Sequence, residues 1–591
     1  MTPLRLRLTR IVGDAFDAEG LPRDLAIVTR SDRPDLAQFQ CNGAMAAGKI
    51  AKTSPRDIAG KVVRRLSDHD IFADLSVAGP GFINLNLTRA VLNAHADELL
   101  SDAHFGAIGD VKKSAEKIVL DFGGPNIAKP MHVGHLRSTI IGDCLQRLVK
   151  LVGHTAISDV HMGDWGKPIG MLIVELKLAQ PDLPYFDPNH SGSYPADSPV
   201  TMAELEQLYP KAAQACKTDQ RRDEEAREAI AALQRGRPGY RALWQHFVTV
   251  SKAGMEREFA ALHVHFDLWK GESDVDQAIR PMVDDLLDRG VAEIDDGAVI
   301  VRVAEPDDQQ EIPPLMCLKR DGAATYGATD LATIIDRVRS ASPDRILYVV
   351  DQRQHTHFLQ VFRAAEKAGF VKDTALEHIG FGTMNGPDGK PFKTREGGVM
   401  KLHDLIENMK DKAQERLAEA GLAGGYPEQE REKIAAQVAM AALKFADLSN
   451  HRLSDYIFDF DRFVRFEGKT GPYLQYAAVR IQSILRKAQD DNLLIDHGPI
   501  SLQSPVEDEL VLCASQFPDA IEAAYQKRAP NILCDHAYGL AQVFSRFYNE
   551  HHILSESNQA LRGSRLALCR LALGQLTTTL DVLGIELPNR M

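Results

Sequence analysis

At 591 residues the chain is longer than one hydrophobic core organises, and its length predicts roughly three to five modules. Its seven cysteines (Cys41, Cys144, Cys216, Cys317, Cys513, Cys534 and Cys569) are scattered without a CxxC pair, which argues against a structural zinc or a disulfide framework, and no apolar run reaches the ~18 residues of a membrane span. The net charge of −13 argues against a nucleic-acid partner if read globally, and the opening Met-Thr-Pro-Leu-Arg-Leu-Arg lacks an apolar leader core, so a cytoplasmic globular protein is expected.

Residues 1–110 read as a separate α+β module, with a helical pattern in Pro55–Leu66 and a strand-like Gly81–Leu87 after a Gly-Pro-Gly turn. Ser101–Ala115 reads as a linker. From Lys117 the order is strand (Lys117–Phe122), helix (Val133–Val152), strand (Thr155–Val160) and the Gly-rich turn His161–Gly166, the first half of a parallel doubly wound sheet. Residues from about 180 to 310 interrupt this alternation as a connecting insertion, with a Pro-rich loop (Gln180–Pro199) and helical stretches over Glu204–Arg235 and Tyr240–Leu262. Alternation resumes with a strand at Arg345–Val350, a helix at Phe358–Ala368 and a strand at His378–Thr383.

From Tyr426 onward the pattern is helical: Glu428–Leu448, Thr470–Asp490, Pro505–Lys527, Ile532–Asn549 and Ala560–Leu583 predict a bundle. The expected fold is multidomain α/β. A Rossmann-type parallel-sheet domain (residues 111–425), split by the insertion, follows an N-terminal α+β domain and precedes a connecting helical region (426–465) and an all-α domain (466–591). Basic residues concentrate locally: six against two acidic ones from Asp461 to Lys487, and twelve against nine in residues 1–70. These patches are as compatible with solvated faces as with RNA.

The densest chemistry lies in Asp121-Phe-Gly-Gly-Pro-Asn-Ile-Ala-Lys-Pro-Met-His-Val-Gly-His135, between the first strand and its helix. Two histidines at a helix start, with Gly134 between them, suit phosphate: unpaired N–H groups and the positive dipole end attract it, and glycine admits close approach. Ligand sites in such sheets lie beyond the carboxyl ends of the strands. Asp121, Asn126 and Gln354 follow strands there, and Tyr326 and Asp330 share a face if their segment is helical.

The strand, HxGH turn and helix resemble the HIGH signature of class I aminoacyl-tRNA synthetases, and Asn126 to Asp143 closely resembles its version in the arginyl-tRNA synthetases. The resemblance runs through the whole chain. It implies ATP-dependent activation of L-arginine to arginyl-adenylate and transfer to tRNA(Arg), with Mg2+ entering as Mg-ATP, no structural zinc and a monomeric enzyme. Asp330 becomes the guanidinium partner beside Tyr326, while Asp121, Asn126, His132 and Gln354 hold the remaining polar groups of arginine. His132 and His135 would stabilise the α-phosphate, and Gly134, His135, Gly380, Phe381 and Lys393 would bind ATP, with Gly163, Asp164 and Trp165 lining the same cleft.

One departure stands out. The family's second lysine loop, KMSKS, corresponds here to Lys393-Thr-Arg-Glu-Gly397, where Glu396 occupies the second lysine's place. Lys129, three residues before His132, is the expected substitute. The glycines Gly386, Gly389, Gly397 and Gly398 read as a flexible lid or an ordinary hairpin.

Phe466 to Ile484 resembles the start of the DALR-type anticodon-binding domain, which makes Tyr476, Arg480, Tyr548 and Met591 candidate tRNA contacts. The N-terminal module resembles the family's additional tRNA-contacting domain. A synthetase for another amino acid, such as cysteine, fits less well, since clustered cysteines are missing and Tyr326, Asp330 and Gln354 are present. A non-catalytic RNA-binding paralogue is the reading from a different class, and both histidines argue against it.

Overall fold

The computed structural model describes residues 2–108, 115–386, 388–390, 400–422, 424–493 and 499–591. The chain forms two compact units, one of residues 1–114, 413–449 and 463–591, the other of residues 115–412 and 450–462. No described helix is long and apolar enough to cross a membrane.

In the first unit an antiparallel sheet runs in the order Val28–Arg30, Phe39–Cys41, Phe82–Leu87, Phe72–Ala78. The helices Leu4–Ala18 and Pro55–Leu66 bury Leu8, Val12, Phe16, Ile58, Val62 and Leu66. Gly81 has a φ of +144°, and a Cβ there would lie 2.9 Å from the Pro55 backbone, so the turn requires glycine.

The helices Glu428–Leu448, Gly471–Asp490, Pro505–Ala514, Phe517–Lys527, Asn531–Glu550 and Gln559–Val582 make the bundle. Gly471 allows one close crossing, since a Cβ would run into the Ala441 carbonyl. The single helix expected over Pro505–Lys527 is instead two. Pro518 cannot supply the N–H that the Ala514 carbonyl would need in a continuous helix, so it opens the second helix, where the missing donor costs nothing. Gln575 Nε2 donates to the freed Ala514 carbonyl at 3.0 Å.

The second unit is built on a parallel sheet ordered Ala375–His378, Arg345–Tyr348, Lys117–Asp121, Thr155–Asp159. Its strand residues Ile118, Val119, Leu120, Ile346 and Leu347 are all buried, as a sheet covered on both faces demands. Strand order reverses between Lys117–Asp121 and Arg345–Tyr348, so the switch point lies there. Register aligns Tyr348, Asp121 and Asp159 at the carboxyl ends. Beyond Ser158 the edge is continued by residues 268–272, with the Leu268 N–H donating to the Ser158 carbonyl at 2.9 Å and the Met162 N–H to the Lys270 carbonyl at 2.9 Å.

Two expectations need correction here. The strand expected at His378–Thr383 is Ala375–His378, because the next backbone groups bond to neighbouring loops. Arg452 Nη1 donates to the Gly380 carbonyl at 2.5 Å, and the Gln352 N–H to the Phe381 carbonyl at 3.0 Å. The helical stretch expected at Glu204–Arg235 is two helices, Met202–Thr218 and Gln220–Gln234, followed by Pro238–Ala261. Asp219 makes the break, its side chain accepting the Arg221 N–H at 2.9 Å as a new N-cap.

Candidate active site

The loop from the Lys117–Asp121 strand to the helix Val133–Leu151 is pinned on both sides. Ala128 has a φ of +60°, a conformation costing a non-glycine residue about 1–2 kcal/mol, and its N–H donates to the buried Ser251 Oγ at 2.8 Å. Asn126 pairs by a single bridge with Gly163, where any Cβ would run into the Asn126 Oδ1. Lys129 follows Ala128 and places its Nζ 4.5 Å from the centroid of the Tyr209 ring.

His132 is the N-cap of the next helix. The Gly134 N–H donates to His132 Nδ1 and the His132 N–H donates to His135 Nδ1, both at 3.1 Å. A ring nitrogen that accepts carries no hydrogen, so in the neutral imidazole the proton sits on Nε2. Burial, then the Lys129 charge, lowers the His132 pKa, while burial and the neighbouring His132 and Lys129 push His135 down to about 3. The rings stack with centroids 4.1 Å apart, and a Cβ on Gly134 would lie 2.8 Å from the His132 ring. Gly134 is thus required by the cap itself. Two neutral N–H donors at a helix N-terminus can follow charge that grows on a phosphoryl group. Just past the KMSKS-like loop, residues 400–402 are laced to this turn: the Val133 N–H donates to the Met400 carbonyl at 3.1 Å and the Leu402 N–H to the Met131 carbonyl at 2.9 Å.

Tyr326 and Asp330 occupy the first turns of the helix Tyr326–Ala341. Asp330 Oδ2 accepts from His357 Nε2 at 2.5 Å. Glu272, at the start of the helix Glu272–Asp288, faces the same space. Burial, then the negative charges of Asp164 and Asp330, push its pKa up to about 7, against one backbone hydrogen bond from Trp165. Asp164 is itself buried and raised, and it caps that helix by accepting from Ser273 N at 3.0 Å and Ser273 Oγ at 2.6 Å. Tyr326 is 73% exposed, yet its hydroxyl is held above the usual phenol range by lost solvation and then by Glu272, Asp330 and Tyr209. Among the described residues Glu272 forms no salt bridge, so the pocket offers carboxylate and phenol oxygens to a cation from outside. A planar guanidinium fits such acceptors.

Beneath this pocket lies Arg337, on the same helix and 2% exposed. Its Nη2 is 2.7 Å from both Asp121 Oδ2 and Asp159 Oδ2, and its Cζ is 5.3 Å from the Tyr348 ring. Asp121 is therefore engaged by the protein's own arginine. Gln354 is exposed in the turn after Arg345–Tyr348 and leads into the helix His355–Lys367 that carries His357. Gly380, whose Cβ would run into Gln352, precedes the buried Phe381, and the Phe381 ring lies 5.9 Å from Arg137 Cζ. Gly386 and Gly389 close a turn in which the Gly386 N–H donates to the Lys390 carbonyl at 2.8 Å. Lys393, Glu396, Gly397 and Gly398 lie outside the described residues.

Residues 97–460 match the family described as tRNA synthetases class I (R), catalytic domain; residues 474–591 match the DALR anticodon binding domain and residues 4–87 the arginyl tRNA synthetase N terminal domain. The chain is 50% identical over 586 residues to the arginine--tRNA ligase of Maricaulis maris, covering 99% of each chain. The chain belongs to the arginyl-tRNA synthetase family. A second family member, the arginine--tRNA ligase of Hyphomonas neptunium, is 50% identical over 593 residues, covering 100% of both chains. The crystal structure of the arginyl-tRNA synthetase from Plasmodium falciparum is similar with a TM-score of 0.82 at 25% identity, over 100% of both chains.

The RNA candidates of this arginyl-tRNA synthetase family member lie in the other unit. Arg480 Nη2 donates to the Tyr476 hydroxyl at 2.7 Å, and its Cζ lies 4.7 Å from the Tyr476 ring and 5.5 Å from the Tyr548 ring. Arg480, Lys487, Tyr548 and His552 line a cleft of about 430 Å³. The Met591 carbonyl accepts from the Tyr426 hydroxyl at 3.4 Å, while Arg590 pairs with Glu430 at 2.7 Å. Sequence reasoning missed Glu272, His357 and Arg337. Glu272 falls within the stretch read as an insertion, and only the fold brings it to Asp330; His357 could have been flagged by its place just after Gln354.

Proposed function

We propose that this chain charges tRNA(Arg) with L-arginine in two steps, first forming arginyl-adenylate and pyrophosphate from arginine and ATP, then passing the arginyl group to the terminal adenosine of the tRNA. One observation carries the amino-acid assignment: Tyr326 and Asp330 open one helix beside Glu272, whose carboxyl group forms no salt bridge among the described residues. A guanidinium supplies the missing charge and donor geometry, whereas a neutral isostere leaves buried acceptors unpaired. Asn126, Gln354 and the strand-end Asp121 hold the amino-acid end, the last after sharing or exchanging its contact with Arg337.

Attack by the substrate carboxylate on the α-phosphate places growing charge where the neutral His132 and His135 donate, at a helix N-terminus. Lys129 and Lys393 steady the departing pyrophosphate, Gly134 leaves room for the phosphates, and Gly380 with Phe381 receives the adenine. The chemistry is positioning and charge stabilisation with no covalent enzyme intermediate. Magnesium arrives with the nucleotide, since Mg2+ commonly binds through substrate phosphates.

Tyr476, Arg480 and Tyr548 stack and pair with splayed anticodon bases, with Met591 close by. The reading extends to a cytoplasmic monomer. The test is amino-acid-dependent ATP–pyrophosphate exchange with and without tRNA. Exchange driven by arginine alone, and only with tRNA present, is the expected result; exchange driven by another amino acid refutes the reading.

A further inference from the structure

The lysine assigned to pyrophosphate lies against an aromatic ring of the insertion. We infer that Tyr209, on the helix Met202–Thr218 of the insertion, is a positioning residue that orients Lys129 toward the phosphates. The inference rests on the reading of Lys129 given above.

A lysine ammonium on a four-carbon stem has many rotamers, and to act on a leaving group it must be confined. Two devices confine this one. The backbone direction is set by Ala128, held at φ +60° by the buried Ser251 hydroxyl. The head is set by the Tyr209 ring, whose centroid is 4.5 Å from Lys129 Nζ, well inside cation–π range. The ring is itself anchored: Tyr209 packs half-buried against the small cluster of Met171, Ala212 and Ala226. The same helix sends Glu206 to Lys401 at 2.6 Å, and Lys401 forms a backbone bridge with His132. The insertion helix thus reaches the HxGH turn twice, at Lys129 through Tyr209 and at His132 through Lys401.

Phenylalanine at 209 keeps the ring and its face, whereas leucine keeps apolar bulk but no π cloud. The ring's role therefore separates from simple packing.

The experiment measures single-turnover adenylate formation with tRNA present, together with KM for ATP and for arginine, in Y209F, Y209L, K129A and the double variant Y209L/K129A. Expected are a Y209F rate within about twofold of wild type, a Y209L rate lowered roughly tenfold with arginine KM unchanged, and a double variant no slower than K129A alone. A wild-type rate in Y209L, or a Y209L loss that adds in full to that of K129A, overturns the inference alone. A wild-type rate in K129A overturns the reading of Lys129 and the inference with it.

Discussion

A carboxyl group with a pKa raised to about 7, as at Glu272, is about half protonated near neutrality when the pocket is empty. A guanidinium beside it favours the ionised form, so binding releases a proton and affinity rises as pH passes upward through about 7. Arginine itself keeps its charge throughout. The arginine KM should therefore fall by up to roughly tenfold between pH 6 and pH 8 in the wild type and lose that slope in Glu272→Gln. An equally steep profile in the variant would place the titrating group elsewhere. His135 should add no inflection of its own in this range, because its Nδ1 already accepts the His132 N–H and it is held at about 3.

The helix Tyr326–Ala341 is the element that ties the pocket to the sheet. Seven residues separate Asp330 from Arg337, two turns, so both lie on one face. Arg337 is clamped at 2.7 Å by Asp121 and Asp159 at the ends of adjacent strands. Arg337→Met leaves two buried carboxylates without their cation and should cost about 3–5 kcal/mol, seen as a lower urea midpoint, with arginine KM raised because Tyr326 and Asp330 shift. Unchanged midpoint and KM would show that the aspartates are compensated without Arg337.

Local patterns explain what could be read at this scale. The strand Lys117–Asp121, the helix from Val133 and the helix Glu428–Leu448 follow from apolar spacing and caps within a few residues. The end of the parallel sheet's fourth strand at His378 does not, because Arg452, 72 positions away, takes the Gly380 carbonyl. The break at Asp219 carries a legible N-cap residue, but the charged helical pattern continues across it and hides the signal. Tyr326 and Asp330 share a helix face as their spacing implies. Glu272 and Arg337 needed the fold, since their partners Asp121, Asp159, Asp164 and Asp330 come from three separate segments.

Across the whole molecule, buried histidines set the response to acid. In the first unit burial, aided by the Arg7 charge, pushes His95 down to about 4, and burial pushes His536, stacked on Phe517, to about 4. Both are neutral when folded, and the unfolded chain binds their protons below about 6.5, so the stability they contribute is complete above that pH and falls as pH drops toward 4. In the second unit His135 acts in the same direction, but Glu258 and Glu272, both raised to about 7, oppose it: they hold protons that the unfolded chain releases above about 4.5. Acid destabilisation should therefore concentrate in the first unit. His536→Phe should reduce the stability lost between pH 7 and pH 5 by about 2 kcal/mol in urea unfolding; the same loss in variant and wild type would contradict this.

The central claim, that Asp330 and its neighbours recognise arginine for attachment to tRNA, is tested most directly by aminoacylation of total tRNA with each labelled amino acid in turn, comparing wild type with Asp330→Ala. Charging by arginine alone, lowered at least roughly hundredfold in the variant, is the predicted result. Charging by a different amino acid, or arginine charging that survives intact without Asp330, would contradict it.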